Sequence, residues 1–318
     1  MNVYPLKFSP IYKERIWGGR NLQRLFRRPL PPGKNIGESW ELADLAEGAS
    51  VASNGPLSGA TLTELTGRMG GELLGTALPC DGRFPLLLKL LDANETLSLQ
   101  VHPDAQAAAR IGPPAALKTE CWYVLESRGG FIYKGLEPGV TAGQFRRAIQ
   151  DDTVERLVRR YDVVAGDFHY LPAGVVHALG RGAVVAEVQT PSDTTYRVTD
   201  WGRGREIHVE RSMQCIHFDP PAPQRPCNDP GVLLETEFFT VRMRSASAGR
   251  SEPLPSGRCS ALMIVSAAAP LEVRHGGPVE PVVRLGAGDT VLLPSAMREP
   301  ALEAGGDCKW LEVTLPNG

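Results

Sequence analysis

Apolar residues fall along most of this chain in short runs rich in Val, Leu, Phe and Tyr, and glycines and prolines, 34 and 27 of them, punctuate those runs throughout, as in a β-sandwich or barrel. The stretch "LSLQVHP", residues 97–103, shows the pattern. Side chains on a strand alternate faces, so Leu97, Leu99 and Val101 are expected in a core and Ser98, Gln100 and His102 on a cavity or solvent face. Before it, "FPLLLKLLDANE" is almost continuously apolar except for Lys89 and reads as a buried neighbouring strand. Helical periodicity is confined to three segments, 57–75, 103–112 and 141–161, which look like insertions in a β framework. Five prolines between residues 218 and 231 interrupt regular structure, and beyond them only strand patterns follow. The reading is a mainly β protein of two domains, 1–220 carrying the helical insertions and 221–318 all-β.

The 318 residues are 42% hydrophobic and 22% charged, enough apolar surface for a sizeable core. A net charge of −2 and a pI near 6.3 give no support to nucleic-acid or membrane-surface partners. The six cysteines form no CxxC pair, so neither a disulfide framework nor a zinc ribbon is expected. With no signal-like h-region or long apolar run, the expected location is cytoplasmic.

The chemistry gathers around "GDFHYLPAGVVH", residues 166–177. Gly166-Asp167 turns the chain into a strand, Pro172-Ala173-Gly174 makes a tight turn, and His177 starts the next strand, aimed inward. This spacing is similar to the second motif of the cupin family. The first cupin motif, HxH followed closely by Glu, is altered: Gln100 stands where the first histidine would, and Glu120 lies 18 residues after His102, beyond an insertion at 103–119. Gln100, His102, Glu120 and His177 offer nitrogen and oxygen donors without thiolate. That set suits Zn²⁺, with Mn²⁺, Co²⁺ or Fe²⁺ as alternatives. Downstream, Glu187, Arg197, Asp200, Arg203 and Arg205 crowd one segment, and arginines in such numbers suit an anionic substrate.

Six stretches in order, "RIWGG" (15–19), "IGESWEL" (36–42), "FPLLLKLLDANETLSLQVHPD" (84–104), "KTECWYVL" (118–125), "GDFHYLPAGVVHALG" (166–180) and "QTPSDTTYRVTDWGR" (189–203), resemble the type I phosphomannose isomerases, particularly the short bacterial form. The resemblance implies a zinc enzyme, one Zn²⁺ per chain, interconverting mannose 6-phosphate and fructose 6-phosphate through a cis-enediol. It places the zinc ligands on Gln100, His102, Glu120 and His177 and the catalytic arginine on Arg197. Lys118 and Ser98 match further family positions and are expected to meet the substrate, and with no Gly-rich phosphate loop in the sequence the phosphate is expected to meet side chains such as Arg197, Arg203 or Lys118. The general base stays open among Lys118, Glu187, Asp200 and a metal-bound water. A noncatalytic sugar-phosphate sensor, a cupin oxygenase and an isomerase of another hexose are the competing readings.

"GDTVLLPSAMREPAL", from Gly288, repeats the 166–180 spacing with Glu299 at the His177 position and Ala296 at the Gly174 position. The expected architecture is therefore two cupin-type jelly-roll barrels, the second without metal, its lone His275 at the surface. Trp17, Trp40 and Trp122 read mainly as core, and Glu38 and Glu41 as pocket carboxylates or hydrogen-bonded strand residues. A monomer or homodimer is expected.

Overall fold

The computed structural model describes residues 3–219, 229–276 and 282–316. Strands dominate and stack in layers. A five-stranded antiparallel sheet runs in the order Val158–Asp162, Phe131–Leu136, His177–Leu179, Leu99–Val101, Tyr196–Thr199. Facing it is a six-stranded sheet, Phe168–Leu171, Glu120–Ser127, Ala183–Gln189, Leu87–Ala93, Ile36–Leu42, Ile11–Gly19. Trp122, Val124, Val185 and Leu91 from the second sheet pack with Ile132 and Leu179 from the first, closing the space between them.

The outer face of the five-stranded sheet is covered by helices. Leu99, Val101, Ala178 and Val198 bury against Ala107, Phe145, Ala148 and Cys215, which lie on the helices Ala105–Ile111, Ala142–Gln150 and Val209–Cys215. The outer face of the six-stranded sheet packs on a seven-stranded sheet from the C-terminal half, where Leu88, Leu90 and Val188 meet Ala261, Met263 and Val313. A four-stranded sheet closes the far side over Trp310, Ile264 and Val273. Leu87–Ala93 thus lies in a middle layer and is buried along its whole length, which explains why its sequence shows no alternation.

The two halves share more than a boundary. Leu6–Ser9, at the start of the chain, pairs with Thr290–Leu293 and so belongs to the C-terminal sheet. The proline-rich stretch largely falls outside the described residues.

The helices are shorter than the periodicity predicts. Gly70, at φ 49°, separates Leu62–Met69 from Gly71–Leu74 within the first segment. In the third, a capping box of Thr141 and Gln144 starts Ala142–Gln150, but Asp152 turns left-handed at φ 52° and Val158–Asp162 leaves as a strand paired with Phe131–Leu136. The segment 141–161, expected as one helix or a helix pair, is thus a helix followed by the 3-10 turn Val154–Leu157, and its last residues are strand. Two short helices, Asn21–Phe26 and Val209–Cys215, carry too few turns to show a period. His275 is not at the surface as expected: its residue is 9% exposed, beside Gly276, whose N–H donates to Arg298 O.

One close approach matters for the site. A Cβ on Gly18 would meet Gly37 N at 2.4 Å, and one on Gly37 would meet the Trp17 ring at 2.6 Å, so only glycines let "RIWGG" and "IGESW" cross and bring Trp17 and Glu38 to the same cavity.

Candidate metal centre and cavity

Residues directly opposite in an antiparallel pair point to the same face. On the five-stranded sheet Arg197 lies opposite Gln100 and Gln100 opposite His177, which sets an arginine, an amide and an imidazole in one inward row. On the facing sheet Trp40 lies opposite Lys89, Lys89 opposite Glu187 and Glu187 opposite Trp122. Glu120 opens the strand beside this second row.

The turns deliver the candidate ligands. Gly166 and Gly174 take φ 100° and 85°, a region costly to any side chain. Gly174 N–H donates to His102 O at 2.9 Å and Val175 N–H to Pro172 O at 3.1 Å, tying the two histidine segments together. The insertion after His102 returns to its starting point, with Lys118 N–H donating to Pro103 O at 3.0 Å. Its helix is capped by Asp104, which accepts from Ala107 N–H at 2.7 Å. Glu120 thereby reaches the same point in space as His102 despite their distance along the chain.

His102, Glu120 and His177 converge with ligand atoms within 4.8 Å of one another, the only such group of histidine, cysteine and carboxylate ligands among the described residues. Both rings are oriented by main-chain carbonyls: His102 Nδ1 lies 2.9 Å from Thr194 O and His177 Nδ1 2.9 Å from Val175 O. A carbonyl only accepts, so each Nδ1 carries the proton and each Nε2 offers a lone pair. These Nε2 atoms lie 3.4 and 3.1 Å from the Glu120 oxygens. Yet His102 Nε2 and both Glu120 oxygens are buried without a hydrogen-bond partner. Apart from the Lys118 ammonium, 3.3 Å from Glu120 Oε2, these buried polar atoms lack a partner around one point, an arrangement expensive to a fold and suited to a cation.

Burial and the Lys118 charge push the His102 pKa down to about 3 against the pull of Glu120, so the ring is neutral and able to donate a lone pair. Burial pushes the Glu120 carboxyl up, but Lys118 and His102 outweigh it and hold the group well below the carboxylate range. Gln100 completes the cluster, its amide nitrogen 3.4 Å from His177 Nε2. Its two amide heteroatoms are interchangeable in shape, and exchanging them turns Oε1 to the cluster as a fourth donor.

A cavity of ≈ 460 Å³ opens beside this cluster. Ser98, Gln100, Lys118 and Arg197 line it, together with Trp17, Glu38, Lys89, Glu187, Asp193, Thr195 and Arg205. Lys89 bridges Glu38 and Glu187 at 3.6 and 3.1 Å, and Trp40 and Trp122 each donate an indole N–H at 2.8 Å to one of those carboxylates. Burial lowers the Lys89 pKa, but the two carboxylates more than reverse it, so the ammonium is firmly charged. Burial and the Glu120 charge raise the Glu187 pKa. Arg197 is different: its Nε is buried without a partner, and burial and Arg205 lower its pKa. An anion is what that side chain lacks.

Arg203 does not line the cavity. It donates to Asp200 at 2.8 Å and to Thr96 O at 2.8 Å, while Arg205, which does line it, holds the other side of Asp200 with Nε 2.9 Å from Oδ2. Asp200 is 1% exposed and faces these arginines. Leu97 is in the core as expected, but in the cluster between the two sheets rather than beside Leu99 and Val101, and it borders the cavity. Among residues not assigned from sequence, Lys89 left a signal as the lone charge in an apolar run, whereas Asp193 and Thr195 left none.

Glu38 gives the site a measurable pH dependence. Burial raises its pKa, but Lys89 and Arg15, whose Nε lies 2.6 Å away, bring it down to about 2. A carboxyl depressed on folding contributes stability above its unfolded pKa, about 4.3, and loses it as pH falls through the folded value. Denaturant titrations from pH 5 to 2 should therefore show a decline of about 3 kcal/mol from this group, and Glu38→Gln should flatten that slope. An unchanged slope in the variant would mean the pairing contributes nothing.

Residues 6–124 match the family model described as phosphomannose isomerase type I, catalytic domain. The chain is 35% identical over 328 residues to mannose-6-phosphate isomerase ManA of Bacillus subtilis, covering 97% of this chain and 98% of that protein. It is 38% identical over 251 residues to mannose-6-phosphate isomerase of Streptococcus mutans, covering 74% and 77%. The crystal structure of the mannose 6-phosphate isomerase from Bacillus subtilis superposes with a TM-score of 0.85 at 29% identity, covering 97% of this chain and 99% of that one.

Proposed function

We propose, on the premise that this chain belongs to the type I phosphomannose isomerase family, that it interconverts D-mannose 6-phosphate and D-fructose 6-phosphate with one Zn²⁺ held by Gln100, His102, Glu120 and His177. The observation that carries this reading is the convergence of two imidazoles and a carboxylate, with buried atoms that lack a hydrogen-bond partner, beside a cavity whose one uncommitted arginine is Arg197. Two nitrogen ligands with oxygen donors and no thiolate suit zinc. When bound, the ion supplies Lewis acidity toward the substrate's oxygens.

The residues of the chain do the rest. Aldose and ketose exchange when a proton leaves C2 and another arrives at C1, or the reverse, through a cis-enediol. Lys118, Glu187 and Asp193, among the titratable groups on the cavity wall, are the candidates to take and return that proton, and Asp200 is withdrawn from this role by its two arginines. Arg197 faces the negative charge that grows on the oxygens as the enediolate forms. Arg205, with Lys118 and Ser98, offers contacts for substrate phosphate and hydroxyls, while Arg203 acts through Asp200, which aligns Arg205.

The test is conversion of mannose 6-phosphate to fructose 6-phosphate before and after chelation. Activity should fall with extracted metal and return with one equivalent of Zn²⁺. Chelation-resistant isomerisation would remove the metal from the reaction, and absence of any isomerisation in zinc-loaded protein would favour a sugar-phosphate sensor. A cytoplasmic location belongs to the same reading, and the free thiols of the described cysteines support it. No helix among the described residues is long and apolar enough to cross a membrane.

A further inference from the structure

Arg197 lies on Tyr196–Thr199, the edge strand of the five-stranded sheet, which pairs on one side only, with Leu99–Val101. A register shift follows Arg197 within that pairing, so the ladder holds the strand loosely where the arginine needs to be placed. The N–H and C=O of a strand residue point to the same edge, and those of Arg197 point away from Gln100. Both meet His208. Arg197 N–H donates to His208 Nδ1 at 3.0 Å, and His208 N–H donates to Arg197 O at 2.8 Å. His208 thus completes the missing edge, with its ring taking the place of a neighbouring strand's carbonyl.

We propose that His208 is a positioning residue for the isomerase, fixing the backbone of Arg197 through an Nδ1 lone pair so that the guanidinium meets the cavity in one orientation. The inference rests on the reading of Arg197 given above.

The surroundings keep the ring in the accepting form. Glu206 lies 3.7 Å from Nε2, which favours the proton on that nitrogen and leaves Nδ1 bare. Tyr196 packs edge-on at 5.8 Å, and Arg197 and Arg211 stand nearby. Burial, with the two arginine charges, lowers the His208 pKa against the pull of Glu206, so the neutral ring persists. Just past His208 begins the helix Val209–Cys215, whose Ser212 Oγ donates to Arg197 O at 3.4 Å and whose Cys215 is buried under the sheet. The histidine is therefore anchored to the layer that supports the strand.

The claim is specific to one acceptor atom, which makes it separable from packing. Asparagine places Oδ1 the same number of bonds from Cα as Nδ1; glutamine places its oxygen one bond further. Steady-state isomerisation of mannose 6-phosphate by zinc-loaded enzyme is expected to show kcat lowered about 10-fold or more in His208→Ala and His208→Gln, with KM changed less than about 2-fold, because a displaced guanidinium is felt when charge develops. His208→Asn should recover kcat to within about 3-fold of the parent. Combining His208→Ala with Arg197→Ala should lose no more than Arg197→Ala alone, since the histidine acts through the arginine.

Normal kcat in His208→Ala, or equal losses in the Asn and Gln variants, would overturn the proposal while Arg197→Ala still shows its own deficit. Further loss in the double variant would also overturn it, because His208 would then act on something else. If Arg197→Ala keeps full kcat, the reading of Arg197 fails first and the proposal falls with it. Thermal midpoints and zinc content measured on each variant identify any loss that is only unfolding or metal release, and recovery in His208→Asn is a result that a general packing role does not produce.

Discussion

Replacing His177 with alanine should release the metal and abolish turnover in the same protein. The ring is fully buried, its Nδ1 is fixed by Val175 O and its Nε2 lies 3.1 Å from Glu120, so no neighbouring side chain can slide in to replace it. Loss of a direct ligand leaves two strong donors, His102 and Glu120, for a zinc ion that ordinarily takes four. With the Lewis acid gone, several kcal/mol of transition-state stabilisation go with it, which corresponds to a rate loss of at least about 10³-fold. The strand itself should survive, because its backbone pairs on both sides, with Phe131–Leu136 and with Gln100. Metal analysis, circular dichroism and initial rates on one sample decide the matter. Zinc at one equivalent with near-normal turnover would take His177 out of the ligand set, and His102→Ala should reproduce the same paired loss.

Arg197→Ala should do the opposite to the metal and nearly the same to the rate. The guanidinium lies in the inward row next to Gln100, but it makes no contact with Glu120 or either histidine, so zinc content should remain near one per chain. Its Nε is buried and unpaired, a cost tolerated where a charge on a ligand will repay it. Removing a preorganised donor aimed at developing charge typically lowers kcat by about 10²–10³-fold. A larger effect on KM than on kcat would show that Arg197 holds the ground-state phosphate instead. Near-normal kcat and KM together would eliminate it from the site.

Much of this site is legible in the order of residues alone. Gly166, Pro172, Gly174 and His177 announce a strand, a tight turn and an inward histidine, because only certain residues tolerate those backbone angles. Gln100 and His102 share a strand-face parity. The arginines after residue 196 can be counted along the chain, but not sorted. Asp200 decides among them, since it engages Arg203 and Arg205 and leaves Arg197 uncommitted, and nothing in the local pattern says which guanidinium a buried carboxylate will take. Asp193 and Thr195, in a segment without periodicity, become cavity residues only when the chain is folded around them.

Local chemistry along the chain is enough to determine the β character, the insertion between His102 and Glu120, and which donors are candidates, because turn geometry, strand parity and ligand type are properties of short stretches. Three things are decided by tertiary structure alone. Lys89, a lone charge in an apolar run, is held between Glu38 and Glu187, which come from other strands of the same sheet. Leu6–Ser9 crosses to the C-terminal sheet, since any edge with free hydrogen-bonding groups can accept a strand. The helical pattern reaching residue 161 breaks at Asp152, continues only as the 3-10 turn Val154–Leu157, and gives way at Val158, where pairing with Phe131–Leu136 outweighs a weak local preference. "LSLQVHP" itself contains both kinds of information: its parity places Gln100 and His102, but only the second sheet, bringing Glu120, makes them part of a candidate metal site.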